Sequence, residues 1–189
     1  MDLKLSWDLF VIVFFAIVTA YSFIIGRQDT LKIIIGTYIA TLTADGLGNV
    51  FQSLIGNSSF FEKLVKFIGY GGGVSNFSSI LKILFFITII VLLTIYGDFE
   101  VKEIVARRGS VNLMVLFFLS ILSCGLILST IIVFANGGSL IGGVTEISDS
   151  FKEVYEQSRF VKGLLDWHDL WFSLPGLALV MFSLFQKNP

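Results

Sequence analysis

Long apolar runs separated by short polar connections make up most of the chain. The first run, residues 9–25, holds seventeen uncharged residues. A helix of that length is about 26 Å long, close to the roughly 30 Å hydrocarbon core of a bilayer once Trp7 and Gly26 are added. The pattern recurs and predicts four membrane spans in an all-α polytopic protein. They cover about residues 9–26, 31–55, 80–97 and 113–135.

Two of the apolar runs have a competing interpretation. In the first, the residues around Ala20 resemble a signal-peptide cleavage site. The segment before that run has no net positive charge and apolar residues continue past Ala20, which favours a retained helix. The last run, residues 170–185, contains Pro175 and is about 24 Å long, which is short for a span. We favour a kinked fifth span over a hairpin or half-buried segment.

The connection between the first two spans is too short for anything but a tight turn. Gly26 suits the end of a helix, and Asp29 or Thr30 suits the first position of the next one. The first two helices should therefore form an antiparallel hairpin. Two lysines, Lys32 and Lys82, lie near the start of the second and third spans, where their side chains are expected to snorkel to the interface.

Two short amphipathic helices complete the predicted architecture. They cover about residues 60–69 and 150–166, and each is expected to lie at the membrane interface or over the end of the bundle. In the second, Ser150 and Glu153 have the spacing of a capping box.

An aromatic belt at the membrane interface is predicted just after the second amphipathic helix. It consists of Trp167, Trp171 and Phe172. His168 is the one histidine and is flanked by acids, but a metal site needs several ligands at regular spacing. The belt is therefore preferred to a metal site.

The span at residues 31–55 carries two stripes at four-residue spacing, and residues four apart share one helix face. One stripe is small: Gly36, Ala40, Ala44 and Gly48. Its neighbour is polar: Thr37, Thr41, Asp45 and Asn49. Small residues let helices approach closely within a membrane. We expect this helix to pack against the fourth span through the small residues Ser120 and Cys124. The pair Asp45-Gly46 is turn-prone, and a break there would leave a short span and a re-entrant piece. The intact stripes on both sides of Asp45 favour one continuous helix.

Asp45 is the first candidate for chemistry, because an ionisable residue at membrane depth is costly and marks a candidate functional site. It is predicted to lie about 21 Å along its helix. One hypothesis is a proton or cation site, with Thr41 and Asn49 one turn away as oxygen ligands. The other is a structural acid near the interface, bonded to hydroxyl groups or paired with a base from another helix.

Composition supports an integral membrane protein. Hydrophobic residues make up 55% of the 189 and charged residues 14%, whereas soluble domains are about 25% charged. The net charge of −1 gives no electrostatic case for nucleic acid. The single cysteine, Cys124, cannot form an internal disulfide. No nucleophile, metal or phosphate-loop motif stands out, so no enzyme, cofactor or metal is predicted.

Several short pieces resemble the colicin V production protein family of small multi-pass bacterial inner-membrane proteins. They are Asp8 at the start of the first helix, Gly26-Arg27 at its end, Arg107-Arg108-Gly109 before a later span, and Gln157-Ser158-Arg159-Phe160. Gln28 and the apolar run after Leu170 depart from the family pattern. The resemblance implies a non-enzymatic protein of the bacterial inner membrane, linked to secretion or envelope maintenance.

The sequence thus predicts a scaffold or assembly subunit of a membrane complex. Its expected partners are the lipid bilayer and either copies of itself or other membrane subunits. A small proton or cation channel or transporter that uses Asp45 is the alternative.

Overall fold

The computed structural model describes residues 6–55, 73–97, 110–139 and 147–186. All six regular elements in those ranges are α-helices. They are α1 (Trp7–Ile55), α2 (Gly73–Tyr96), α3 (Ser110–Ala135), α4 (Asp149–Gln157), α5 (Arg159–Asp166) and α6 (His168–Gln186). The expected amphipathic helix at 60–69 lies outside the described residues.

Three of these helices are long and apolar enough to cross a membrane. The qualifying stretches are Trp7–Ser53, Phe77–Tyr96 and Leu113–Ala135. The chain is therefore an all-α, membrane-embedded protein, as the alternation of apolar runs predicts.

Gly26 divides α1 into a first arm, residues 7–25, and a second arm, residues 27–55. Its backbone angles, φ 84° and ψ 179°, are the only non-helical pair inside α1, and they fall in a region that glycine alone occupies readily. Thr30 donates a hydrogen bond from its hydroxyl to the Gly26 carbonyl at 2.8 Å. The turn is therefore one residue long. Asp29 and Thr30 lie within the second arm rather than at its N-cap, and Asp29 pairs with Lys32 at 3.1 Å.

The two arms run in opposite directions along α3. Three apolar clusters each join α1 to one level of α3. They contain Val11 with Ile132, Leu31 with Leu119, and Ala44 with Phe134. The chain thus travels from the end of α3 towards its middle in the first arm and returns in the second, which is a helical hairpin. The second arm continues as helix through Asp45 and Gly46 to Ile55.

α2 packs antiparallel to the second arm. Near one end Ser78 contacts Gln52, and near the other Leu93 lies 3.8 Å from where a Cβ on Gly36 would stand. The small stripe of the second arm therefore faces α2 at Gly36 and, as described below, at Gly48. The sequence pattern predicts packing at these two positions against the fourth span, which corresponds to α3, rather than against α2.

The amphipathic segment near residues 150–166 is two helices rather than one. They meet at Ser158, whose hydroxyl accepts the Val161 N–H at 3.1 Å and caps α5. Ser148 is the N-cap residue of α4, so Ser150 lies inside that helix rather than at the N-cap position that the expected capping box requires. The apolar face of α5 packs on α3 and the first arm.

α6 is held to the second arm by an inserted hydroxyl group. Pro175 lies inside α6, and a proline there removes one backbone donor and disturbs the preceding carbonyls. The Tyr38 hydroxyl donates to the Phe172 carbonyl and accepts the Gly176 N–H at 2.8 Å. The Tyr38 hydroxyl thus replaces the direct hydrogen bond that would normally join the Gly176 N–H to the Phe172 carbonyl.

Candidate functional site

A buried ion pair joins the second arm of α1 to α2. The Lys82 ammonium lies 2.8 Å from Oδ1 of Asp45, and the two residues are 5% and 0% exposed. A buried charge without a partner is strongly unfavourable, so each group requires the other. Lys82 was expected to snorkel to the interface, which is wrong. Its ammonium group points into the bundle, where it pairs with the Asp45 carboxylate.

The second oxygen of Asp45 is bonded to the segment that follows α3. Ser139 donates its hydroxyl to Oδ2 of Asp45 at 2.6 Å. Ser139 is brought back over the bundle by a Schellman motif, in which Gly137 adopts φ 82° and its N–H bonds to the Phe134 carbonyl, while the Gly138 N–H bonds to the Val133 carbonyl. Asp45, Lys82 and Ser139 together form what we call the Asp45 site.

Gly48 makes room for the lysine. A Cβ at Gly48 would lie 2.4 Å from Cγ of Lys82, well inside van der Waals contact. The lysine stem therefore runs across the bare backbone of the second arm. The ammonium also lies 5.9 Å from the centre of the Phe134 ring, within the range of a cation–π interaction. The small stripe thus serves side-chain placement as well as helix packing.

A polar cavity of about 250 Å³ adjoins Lys82. Its walls include Gln52, Ser78 and Ser79 from the arm and α2, and Asn136 and Ser148 from beyond α3. Asn136 accepts the Ser148 N–H at 2.9 Å, which holds the two sides of the α3–α4 connection together. Hydroxyl and amide groups of this kind can hold water beside the ion pair.

The structure does not gather the expected oxygen ligands around Asp45. Thr41 donates its hydroxyl to the Thr37 carbonyl at 2.7 Å and lies 3.5 Å from the Thr130 hydroxyl, while Asn49 is exposed. Asp45 lies level with the end of α3, since it reaches Ser139, four residues past Ala135. This geometry is that of the second hypothesis, a structural acid paired with a base and a hydroxyl from other segments.

Sequence reasoning missed Lys82 and Ser139 as the partners of Asp45. Lys82 carried a usable signal, because a lone lysine near the start of an otherwise apolar helix needs either water or an acid. Ser139 carried none, since its position depends on the turn at Gly137.

The other predicted packing residues fall into different contacts. Ala40 and Ala44 are buried with Phe86 and Phe134 between the second arm, α2 and α3. Ser120 is buried and donates to the Phe117 carbonyl of its own helix. Cys124 is buried against α5 and the first arm rather than the second arm.

The residues around His168 separate into two environments. Trp167 is exposed, but the Trp171 ring packs on Gly125 of α3, where a Cβ would come within 2.1 Å of it. His168 lies 3.1 Å from the exposed Asp169, and the described residues hold no group of three or more His, Cys, Asp or Glu side chains that could bind a metal.

A second polar contact joins the start of α1 to the start of α5. Oδ1 of Asp8 accepts the Ser158 hydroxyl at 2.5 Å and the Phe160 N–H at 3.2 Å. A carboxylate at a helix N-terminus satisfies a free backbone donor and interacts favourably with the helix dipole. Residues 150 positions apart thereby fix the first arm against α5.

Comparison with known proteins gives no relative: no protein-family model, curated protein or solved structure matches the chain.

Proposed function

We propose that this chain is a scaffold or assembly subunit of a larger membrane complex. The observation that carries the proposal is that both carboxylate oxygens of Asp45 are bonded to other segments of the chain. One of its oxygens is bonded to Lys82 of α2 and the other to Ser139 beyond α3. A carboxylate held on both sides by neighbouring segments favours one fixed arrangement of helices over exchange of a transported ion.

We further propose four membrane crossings, with a fifth by α6. The two arms of α1 are antiparallel, so each would cross once, and α2 and α3 supply two more. α6 is nineteen residues long, or about 28 Å. Its contacts with α3 and Tyr38 support a place within the bundle.

The bacterial inner membrane is the proposed location, with a role in secretion or envelope maintenance. This part rests on the resemblance to the colicin V production proteins. Asp8 and the Ser158–Phe160 pair, which belong to the resembling pieces, are bonded to each other. That contact gives the resembling residues a shared structural role in this chain.

Transport of protons or cations is the second candidate, favoured by the polar cavity beside Lys82. A carrier would have to separate Asp45 from Lys82 and let water or an ion reach the carboxylate. The two functions differ in what they require of the charges. A scaffold needs the helix arrangement that the pair supports, whereas a carrier needs a titratable carboxylate.

The native mass of the tagged protein, extracted from its own membranes in mild detergent, tests the proposal. An assembly subunit should be recovered with other proteins in a fixed ratio, or as a discrete oligomer that acts as their platform. Ala44→Leu, which places a larger side chain in the buried contact with Phe86 and Phe134, should release those partners. Thr43→Leu, at the adjacent exposed position, is the matched control and should not. A lone monomer for the unmodified protein would contradict the proposal.

A further inference from the structure

A groove of about 530 Å³ runs between the first arm, α5 and α6. Its volume lies within the roughly 300–1,000 Å³ typical of small-molecule sites. Apolar side chains from all three elements form its walls. They include Ile12, Phe15, Phe160, Leu164, Leu170 and Trp171. Because the first arm belongs to a stretch long and apolar enough to cross a membrane, the groove lies along a surface that lipid can reach.

Gly163 keeps the groove open. It lies in the middle of α5 and lines the groove, and a Cβ there would meet no atom within 4 Å. Glycine inside a helix destabilises it by roughly 0.5–1 kcal/mol relative to alanine. No close backbone contact requires glycine at this position, so the feature it provides is space.

Arg159 gives the groove a charged end, and it is the one charged side chain among the lining residues. It is exposed and forms no salt bridge within 4 Å in the described part of the chain. Asp8 is near enough to interact with it electrostatically, but Oδ1 of Asp8 is already bonded to Ser158 and Phe160. The exposed Trp167 stands on the rim, as an indole does at a membrane interface.

We propose that this groove, the Arg159 groove, binds an anionic phospholipid, with an acyl chain along the apolar walls and the phosphate on Arg159. A planar guanidinium binds phosphate through two parallel hydrogen bonds, and an acyl chain buries apolar surface without needing a polar partner. Arg159 lies beside Asp8, at the end of the first arm, whereas Trp171 packs near the middle of α3. A lipid so placed would have its headgroup at the end of the bundle and its chain directed inward.

Tryptophan quenching by brominated lipids tests this proposal, because Trp167 and Trp171 both line the groove. The full chain carrying Trp7→Phe, so that only these two indoles report, is reconstituted in phosphatidylcholine bilayers. A minor fraction of brominated phosphatidylglycerol or brominated phosphatidylcholine is then added. Quenching by the anionic lipid should exceed quenching by the neutral one by about fivefold, the ratio expected of one basic side chain at an anionic membrane surface.

Two variants and their matched controls give the test its specificity. Arg159→Gln should bring the two lipids to equal quenching, whereas Lys162→Gln, which removes an exposed charge that lies over the Tyr155 ring, should keep the preference. Gly163→Phe should fill the groove and abolish the preference. Gly46→Phe, at another glycine with no neighbour within 4 Å of its Cβ, should keep it.

Equal quenching by the two lipids in the unmodified groove would overturn the proposal, as would a preference that survives Arg159→Gln or Gly163→Phe. So would the absence of quenching by either lipid in a protein that is dimeric in the bilayer, because a second copy of the chain would then cover the groove.

Discussion

Replacing Lys82 with methionine should remove the buried base that pairs with Asp45 and leave the Asp45 carboxylate, still bonded to the Ser139 hydroxyl, in a buried site. Breaking a buried ion pair from one side destabilises a protein by about 3–5 kcal/mol. Lys82→Met should therefore lose about 3–5 kcal/mol of unfolding free energy.

The assay is reversible unfolding of the full chain in detergent micelles, followed by tryptophan fluorescence. Lys32→Met is the matched control, since Lys32 pairs with Asp29 on the surface, with both side chains more than one third exposed. That variant should lose less than about 1 kcal/mol. The double variant Asp45→Asn with Lys82→Met should recover at least about 2 kcal/mol relative to the sum of the single changes. A Lys82→Met penalty that matches the Lys32→Met penalty would show that the burial of the Asp45–Lys82 pair adds no stability.

Four further substitutions, one of them a control, are tested by the same unfolding measurement. Gly48→Ala should destabilise the protein by about 1–3 kcal/mol because its methyl group would displace the Lys82 stem. Gly46→Ala is the control: it has open space around it and should stabilise the helix by about 0.5–1 kcal/mol. Equal effects of the two substitutions would contradict the close packing of Lys82 on Gly48. Tyr38→Phe should lower the free energy of unfolding by about 1–3 kcal/mol, because it leaves two backbone groups of α6 unpaired. An unchanged free energy would mean that these two groups bond to each other within α6. Gly26→Ala should cost about 1–3 kcal/mol because of its backbone angles; a neutral result would exclude the sharp turn there.

The all-α class follows from the sequence because uninterrupted apolar runs of bilayer length predict membrane-spanning α-helices. Backbone groups in hydrocarbon must be bonded within their own segment. The hairpin at Gly26 also follows from the sequence, since a glycine followed by a few polar residues marks a helix end. The sequence does not predict that the turn is a single residue long, because glycine allows the backbone angles of Gly26 but does not require them.

The Asp45 site was harder to predict, because its partners come from segments far away in the chain. Lys82 lies 37 residues from Asp45 and Ser139 lies 94 residues away. The four-residue spacing places Thr41 and Asn49 one helical turn on either side of Asp45. It does not determine which group each of these side chains bonds to. Thr41 bonds to its own backbone, and Asn49 turns to the surface.

The insertion of Tyr38 into α6 has no sequence signal beyond Pro175. Proline predicts that one backbone bond is lost, but not which side chain replaces it. The two-helix form of residues 149–166 is similar. Ser158 is an ordinary capping residue, yet its role depends on Asp8 at the other end of the chain.

Proton flux in proteoliposomes tests most directly whether the Asp45–Lys82 pair is a fixed structural contact of a scaffold. The unmodified protein and the Asp45→Asn, Lys82→Met double variant are compared with protein-free liposomes under the same pH gradient. We expect no flux above that of protein-free liposomes for either protein, and recovery of the same partners with the double variant from its own membranes. Flux by the unmodified protein that disappears in a correctly assembled double variant would contradict it and identify Asp45 as a carrier group.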